Sequence, residues 1–157
     1  MSIRCFVVFA TFLLFLPAGC GYRFVDPLPA SEYALVSVMN ATAEAGLASQ
    51  FEEAMRRSGG FREGSVNELS VAITSFHESV ESVGSAGSPV RQELAMEVAW
   101  KVRGPGSAQT ASGKETVVRS YPYSTDPSML DWNRSAAVRL LIQTATQKVL
   151  ERLGGQP

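Results

Sequence analysis

Cys20 is the residue of this chain whose type and position point most directly to a chemical modification. It follows an uncharged apolar run, Cys5–Leu16, and a short head in which Arg4 supplies the side-chain cation. The run is shorter than the roughly twenty residues that cross a bilayer, and with the small residues Ala18 and Gly19 behind it the segment is typical of a secretory signal peptide. Small residues directly before a cysteine form the bacterial lipobox. The pattern therefore predicts cleavage before Cys20 and a diacylglyceryl lipid on its thiol.

The lipobox has one unusual position, because Pro17 stands where a leucine is usual and Leu16 lies one residue further out. The alternative is an ordinary signal peptide followed by a chance cysteine. On the lipoprotein interpretation, residues 1–19 are the signal peptide and residues 20–32 are a lipidated tether. Each buried methylene contributes about 0.8 kcal/mol, so several acyl chains hold a domain at a membrane without further membrane-binding surface.

Few residues of the remaining chain are equipped for catalysis. The signal peptide removes Cys5, and lipid occupies the sulfur of Cys20, so the sequence predicts no disulfide, thiolate metal site or cysteine nucleophile. His77 is the only histidine, and no zinc, phosphate-binding or serine-hydrolase motif accompanies it. Glu52 and Glu53 lie in a helical pattern and are interpreted as solvated side chains. We therefore expect no cofactor, no metal and no enzymatic activity.

The charge of the chain excludes another class of function. Removing Arg4 lowers the basic count from 14 to 13 against 15 acidic side chains, which gives a net charge near −2. Nucleic-acid-binding domains carry a basic excess or a basic stripe. No nucleic acid is therefore expected as a partner.

The first elements that follow are a strand and a helix. Residues 33–40 are apolar and β-branched without a helical period, which predicts a strand. Thr42 is a candidate N-cap for the next segment, and Gly59 and Gly60 are a stop signal. The apolar positions of this segment recur with helical spacing: Leu47, Phe51, Ala54 and Met55.

Three strands are predicted next, over residues 67–76, 90–103 and 114–123. The connection 81–89 is flexible by composition, and 104–113 is a turn cluster. The middle strand alternates most clearly, and its apolar positions are Leu94, Met96, Val98, Trp100 and Val102. Such alternation predicts one face on a core and one face toward water or a polar partner.

A long helix is predicted at the end of the chain. Asp126 and Pro127 are a capping pair, Ser135 is a possible second start, and Gly154 and Gly155 are a stop signal. Its apolar stripe consists of Val138, Leu141, Ile142, Ala145, Val149 and Leu153. The predicted fold class is α+β, a single domain over residues 33–157. In it, a four-stranded mixed sheet carries both helices on one face, in the order β-α-β-β-β-α.

These residues resemble the LptE family of lipopolysaccharide-assembly lipoproteins. The resemblance rests on Cys20–Phe24, Leu28–Pro29, Asn40–Thr42, Gly46–Leu47 and Phe51, and on the order of the elements. It departs from the family where "VNELSVAI" replaces a more usual Ala-Asp pair before the second strand, and in its lipobox.

The resemblance implies an outer-membrane lipoprotein that plugs the lumen of a large β-barrel, LptD, assists its folding and contacts lipopolysaccharide. Glu93, Glu97 and Lys101 would suit a hydrated lumen, and the alternative is a merely solvated sheet face. Phosphates of lipopolysaccharide would be bound by Arg and Lys. The candidates, which are otherwise scattered solubilising charges, are Arg91, Lys101, Arg103, Lys114 and Arg119.

Two other functions remain open. A pilotin-type lipoprotein that escorts a secretin to the outer membrane would carry the same targeting signal, and so would a lipid-tethered periplasmic enzyme. Gly21 stands where an Asp often marks retention in the inner membrane, which favours the outer membrane as the destination.

Overall fold

The computed structural model describes residues 32–107 and 109–154. The signal peptide, Cys20 and almost all of the predicted tether lie outside these residues and stay predictions. The described residues form β1 (Tyr33–Asn40), α1 (Leu47–Gly59), β2 (Asn67–Val83), β3 (Pro89–Arg103), a 3-10 turn (Pro105–Ser107), β4 (Gln109–Pro122) and α2 (Pro127–Arg152).

The four strands form one mixed sheet in the order β1-β2-β3-β4. β1 pairs with β2 in parallel, and the β2–β3 and β3–β4 pairs are antiparallel. Both helices pack on the same face of the sheet, which confirms the predicted α+β architecture. Because β1 and β2 run in the same direction, the chain enters the sheet at one end and the β2–β3 turn lies at the other.

The core lies between the helices and one face of the sheet. Phe51 and Met55 of α1, Ile73 of β2, Met96 of β3 and Leu141 of α2 are completely buried. All six residues predicted for the apolar stripe of the last helix are buried as well. The helical spacing of apolar residues in the helices, and their alternation in the strands, therefore predicted which faces of the helices and the sheet pack together.

The start of α1 differs from the prediction, because Thr42 does not cap it. The helix begins at Leu47, directly after Gly46, whose φ is 77°. No side chain caps this end of the helix with a hydrogen bond. The Thr42 hydroxyl instead donates to Asn40 Oδ1 over 2.7 Å, and Asn40 Nδ2 donates to the Glu44 carbonyl over 2.7 Å. Short polar side chains that bond locally to the backbone favour a loop over a helix.

The capping pair at the start of α2 is confirmed. Asp126 Oδ1 accepts the backbone N–H of Ser128 over 3.0 Å, and Pro127 follows the cap. The helix continues without a break through Ser135 to Arg152, so the possible second start is not used.

The β2–β3 hairpin is longer than the sequence predicted. β2 continues to Val83, and Gly84 N–H donates to the Ser88 carbonyl over 2.8 Å to close the turn. The glycines of this segment thus lie in a short turn, residues 84–88, in which Gly87 has a φ of 75°. β4 also begins earlier than predicted, at Gln109, because its first residues extend the ladder with β3.

Candidate functional site: the open face of the sheet

Among residues 32–107 and 109–154, no helix lies on one face of the sheet, and we call it the open face. On β3 it carries the residues that alternate with the core residues: Arg91, Glu93, Ala95, Glu97, Ala99, Lys101 and Arg103, of which Ala95 is itself buried. The strand register places further open-face residues on both sides: Glu68, Ser70, Ala72, His77 and Ser79 on β2, and Ser112, Lys114, Thr116, Val118 and Ser120 on β4.

On β2, β3 and β4 the open face is hydrophilic, with small apolar side chains between the polar ones. The predicted orientation of Glu93, Glu97 and Lys101 away from the core is confirmed. Two large apolar side chains also lie on this face: Val118 of β4, which is 46% exposed, and Met39 of β1, which lies opposite Ala72 and is 60% exposed. Since hydroxyl, carboxylate and ammonium groups dominate, the face is suited to a partner that is itself polar and hydrated.

Glu97 organises the middle of the open face. Its Oε1 accepts the Thr74 hydroxyl over 2.6 Å and the Lys114 ammonium over 2.9 Å. The Thr74 hydrogen bond, followed by the Lys114 hydrogen bond, holds the pKa of the Glu97 carboxyl below its ordinary value. Glu97 therefore carries negative charge at neutral pH and holds Lys114 in place across the strand pair.

A second ion pair lies on the open face near the hairpin turn. Arg91 Nε donates to Glu81 Oε2 over 3.0 Å. The pKa of the Glu81 carboxyl is lowered, first by a hydrogen bond from Ser120 and then by the one from Arg91. Arg91 is thus engaged within the fold at this end of the sheet.

The structure brings three of the five predicted basic residues together. Lys101 lies opposite Ser112 and Lys114 lies opposite Ala99, so the two lysines are diagonal neighbours, roughly 7–8 Å apart across the strands. Arg103 is the next open-face residue on β3. Lys101, Arg103 and Lys114 form what we call the basic group, near the end of the sheet at which the chain enters.

The other two basic residues do not join the basic group. Arg91 precedes Lys101 by ten residues on β3, roughly 33 Å along an extended strand. Arg119 lies opposite Leu94, on the helix side of the sheet, and its Nη2 donates to the Thr144 hydroxyl of α2 over 2.9 Å. Convergence of all five across the hairpin was therefore a wrong expectation for Arg91 and Arg119.

A polar cluster that the sequence did not indicate lies on the helix side of the sheet. Arg134 of α2 donates both Nη1 and Nη2 to the Glu44 carboxylate and Nε to Glu78 of β2, each over 3.0 Å. The Tyr121 hydroxyl donates to Glu78 and lies 2.6 Å from Gln92 Oε1. We call these five residues the Arg134 cluster. It ties the loop before α1 to α2 and to three strands.

The environment of the Arg134 cluster shifts two pKa values. Burial, followed by the hydrogen bond to Glu78, raises the pKa of the Tyr121 phenol. The hydrogen bonds from its guanidinium to Glu44 raise the pKa of Arg134 further above its already high value. Arg134 also lies 5.9 Å from the centroid of the Phe76 ring, within cation–π range. Both carboxylates of the cluster thus pair with the one guanidinium, which indicates a structural role.

His77, the one histidine of the chain, lies on the open face of the sheet. His77 is exposed on β2, with its Nδ1 3.5 Å from the Ser75 hydroxyl, in agreement with its interpretation as a surface residue. Within residues 32–107 and 109–154, no three or more His, Cys, Asp or Glu side chains are placed to hold a metal ion. Over the same part of the chain, no helix is both long and apolar enough to cross a membrane.

Comparisons with known proteins give matches among solved structures alone. No model of a protein family matches the chain, and no curated protein does. A candidate lipoprotein of Caulobacter crescentus CB15 is 18% identical, with a TM-score of 0.61 over 82% of this chain and 96% of that one. The rare lipoprotein B of Shewanella oneidensis is 17% identical, with a TM-score of 0.57 over 77% of this chain and 94% of that one.

A third similar structure is an uncharacterized lipoprotein B of Nitrosomonas europaea. It is 15% identical, with a TM-score of 0.54 over 78% of this chain and 85% of that one. At these identities the likeness is one of fold. The α+β fold of this chain is therefore similar to the fold of several bacterial proteins described as lipoproteins.

Proposed function

We propose that this chain is an outer-membrane lipoprotein, anchored through Cys20, that assists the assembly of an LptD-like β-barrel and plugs its lumen during lipopolysaccharide transport. It binds and does not catalyse. Its partners are the barrel, lipopolysaccharide and, through its lipid, the membrane. The proposal joins the sequence resemblance to a fold that several bacterial lipoproteins share.

The observation that carries the proposal is the open face, which runs the length of β2, β3 and β4 and which neither α1 nor α2 covers. The lumen of an outer-membrane barrel is lined by polar side chains. A plug must exchange hydrogen bonds with that wall, because unpaired polar groups would otherwise be buried. Glu97, Lys114 and the hydroxyls of Ser70, Ser112 and Thr116 are suitable groups for such a contact.

The basic group is our proposed contact for phosphates of lipopolysaccharide. Lys101 and Arg103 are exposed, and Lys114 is 66% exposed while it pairs with Glu97. Three cations on one surface favour a multiply charged anion over a single carboxylate. Arg91 lies too far away to bind the same phosphate group, and Arg119 lies on the opposite face of the sheet.

Depletion of the chain in its native cell tests the proposed function. The barrel should become misassembled, and lipopolysaccharide at the cell surface should fall. Loss of a secretin from the outer membrane while the barrel stays intact would instead support a pilotin.

A pair of variants makes the depletion experiment specific for the open face. Val118→Arg adds a bulky charge to an exposed position of this face, so it should fold and yet fail to restore the barrel. Glu53→Arg changes the charge of an exposed residue on α1 and should restore it. Equal rescue by the two variants would mean that the open face does not contact the barrel.

A further inference from the structure

α2 carries a second apolar stripe on the side that faces away from the sheet. Met129, Trp132 and Leu140 are 50%, 62% and 52% exposed, and the half-buried Ala136 lies between them. Tryptophan is strongly enriched among the side chains that dominate protein interfaces. We call these four residues the outer stripe.

The outer stripe is not explained by the packing of the domain. The opposite side of the same helix supplies the core, with Leu141 and Ala145 completely buried and Val138 and Ile142 nearly so. A surface helix normally pairs one apolar side with one polar side. An apolar row on the outer side of α2 therefore indicates a binding surface, separate from both the open face and the Arg134 cluster.

The spacing of the outer stripe is symmetric. Trp132 and Leu140 each lie four residues from Ala136, and residues at this spacing form one ridge along a helix. When two such helices cross antiparallel at Ala136, Trp132 of each meets Leu140 of the other. The small alanine then lies at the crossing point, where the backbones approach most closely. The ridge is thus complementary to itself, as a two-fold contact between identical subunits requires.

We propose that the outer stripe is a homodimer contact, in which α2 packs against α2 of a second copy of this chain with Ala136 at the two-fold axis. The inference concerns the chain outside the barrel. It rests on the lipid anchor of the proposed function and not on the barrel.

The charges beside the outer stripe are compatible with this pairing. Arg139 is the exposed cation next to Leu140. Antiparallel crossing at Ala136 places it beside Asn133 of the other copy, within reach of the Trp132 ring for a cation–π contact. The two Arg139 residues are then offset by six residues, about 9 Å along the helix. The pairing therefore opposes no like charges directly.

The size of the outer stripe sets the strength of the contact. Three half-exposed side chains offer a few hundred Å² per copy, below the roughly 800 Å² per partner of a standard stable interface. The dimer is therefore weak when the chain is dilute. Anchoring both copies to one membrane raises their effective concentration and shifts the equilibrium toward the pair.

Photo-crosslinking of the full chain in cell membranes tests the contact. A photoreactive amino acid at Leu140 should give an adduct with twice the mass of the chain. The same amino acid at Glu53, an exposed position on α1, should give several-fold less. Adding Trp132→Ser to the Leu140 probe should remove most of the adduct, and this exposed substitution leaves the core intact.

Three results would overturn the proposal. They are an adduct with a different, larger protein in place of the doubled mass, equal adducts from the Leu140 and Glu53 probes, and no adduct at all. The first would assign the outer stripe to another partner. Recovery of the barrel in the same cells, measured separately, reports on the proposed function and is not changed by any of the three.

Discussion

Trp100 fills the space that Gly113 leaves open on the neighbouring strand. The two residues are directly paired, and a Cβ on Gly113 would lie 2.6 Å from Trp100 Cζ2. The side chain of Trp100 is buried beneath the helices, with 7% of its surface exposed. A glycine in a strand interior is otherwise unfavourable, so its presence here follows from the close approach of the indole.

Truncation of this indole should lower the stability of the whole domain. Trp100→Ala is expected to reduce the free energy of unfolding by about 3–5 kcal/mol, through lost burial and the cavity left behind. Trp132→Ala, at an exposed position, is the control and should change it by less than about 0.5 kcal/mol. Denaturant unfolding measures both values. Equal midpoints for the two variants would mean that Trp100 does not contribute to the core.

Glu97 should make the stability of the domain depend on pH. The Thr74 and Lys114 hydrogen bonds lower its pKa below the ordinary 4.5, so they stabilise the folded state where the carboxylate is charged. This stabilisation is complete above the ordinary pKa and is lost as the pH falls through the lowered value. Glu97→Gln should therefore lower the urea midpoint at pH 7 and have a smaller effect at pH 3. Thr74→Val should reproduce part of the loss, whereas a loss of equal size at both pH values would contradict this account.

At the scale of elements, the Arg134 cluster joins parts of the chain that are distant in sequence. Arg134→Lys keeps the charge but loses the fork that binds Glu44 through two nitrogens. We expect the free energy of unfolding to fall by about 1–3 kcal/mol. Amide hydrogen exchange should also become faster over residues 41–46.

Arg139→Lys, at an exposed position of the same helix, is the matched control and should leave both measurements unchanged. Unchanged exchange at 41–46 in Arg134→Lys would show that the loop before α1 is held by other contacts.

The elements that the sequence predicted well are those whose pattern is local. The stripe of α2, the Asp126 cap and the alternation of β3 each follow from neighbouring residues. Thr42 failed as a cap because its hydroxyl has a nearer partner, Asn40. On β4 the pattern was ambiguous, since Val117 is buried and its neighbour Val118 is exposed.

Without a clear alternation on β4, the face of Arg119 depended on the register with β3, which single-strand patterns do not contain. The Arg134 cluster was not predictable for a similar reason. Its Glu44–Arg134 contact joins residues 90 positions apart, and nothing in either segment indicates the other. Tertiary packing alone brings them together.

At the scale of the whole molecule, the two ends of the sheet differ: the chain enters the sheet at one end, and the β2–β3 hairpin turn lies at the other. The sheet begins at Tyr33 and its hairpin turn, Gly84–Ser88, lies at the far end, so a lipid tether that ended at Tyr33 would be attached at the end opposite the turn. The basic group lies toward the entry end. A lipid on Cys20 would therefore place this group, and not the hairpin turn, nearest to the membrane.

Mass spectrometry of the mature N-terminus tests the tether. The chain purified from its native membrane should begin at Cys20 and carry the mass of the acyl modification. Cys20→Ser should abolish the modification and release the domain from the membrane. An unmodified N-terminus at another residue would contradict the lipoprotein interpretation.

The most direct test of the central claim is the composition of the complex that the full chain forms in its native outer membrane. Extraction in mild detergent and native mass spectrometry should give one copy of this chain with one copy of an LptD-like barrel. Val118→Arg should lower the yield of that complex, and Glu53→Arg should leave it unchanged. Recovery of the chain with a secretin, or without any barrel, would contradict the account.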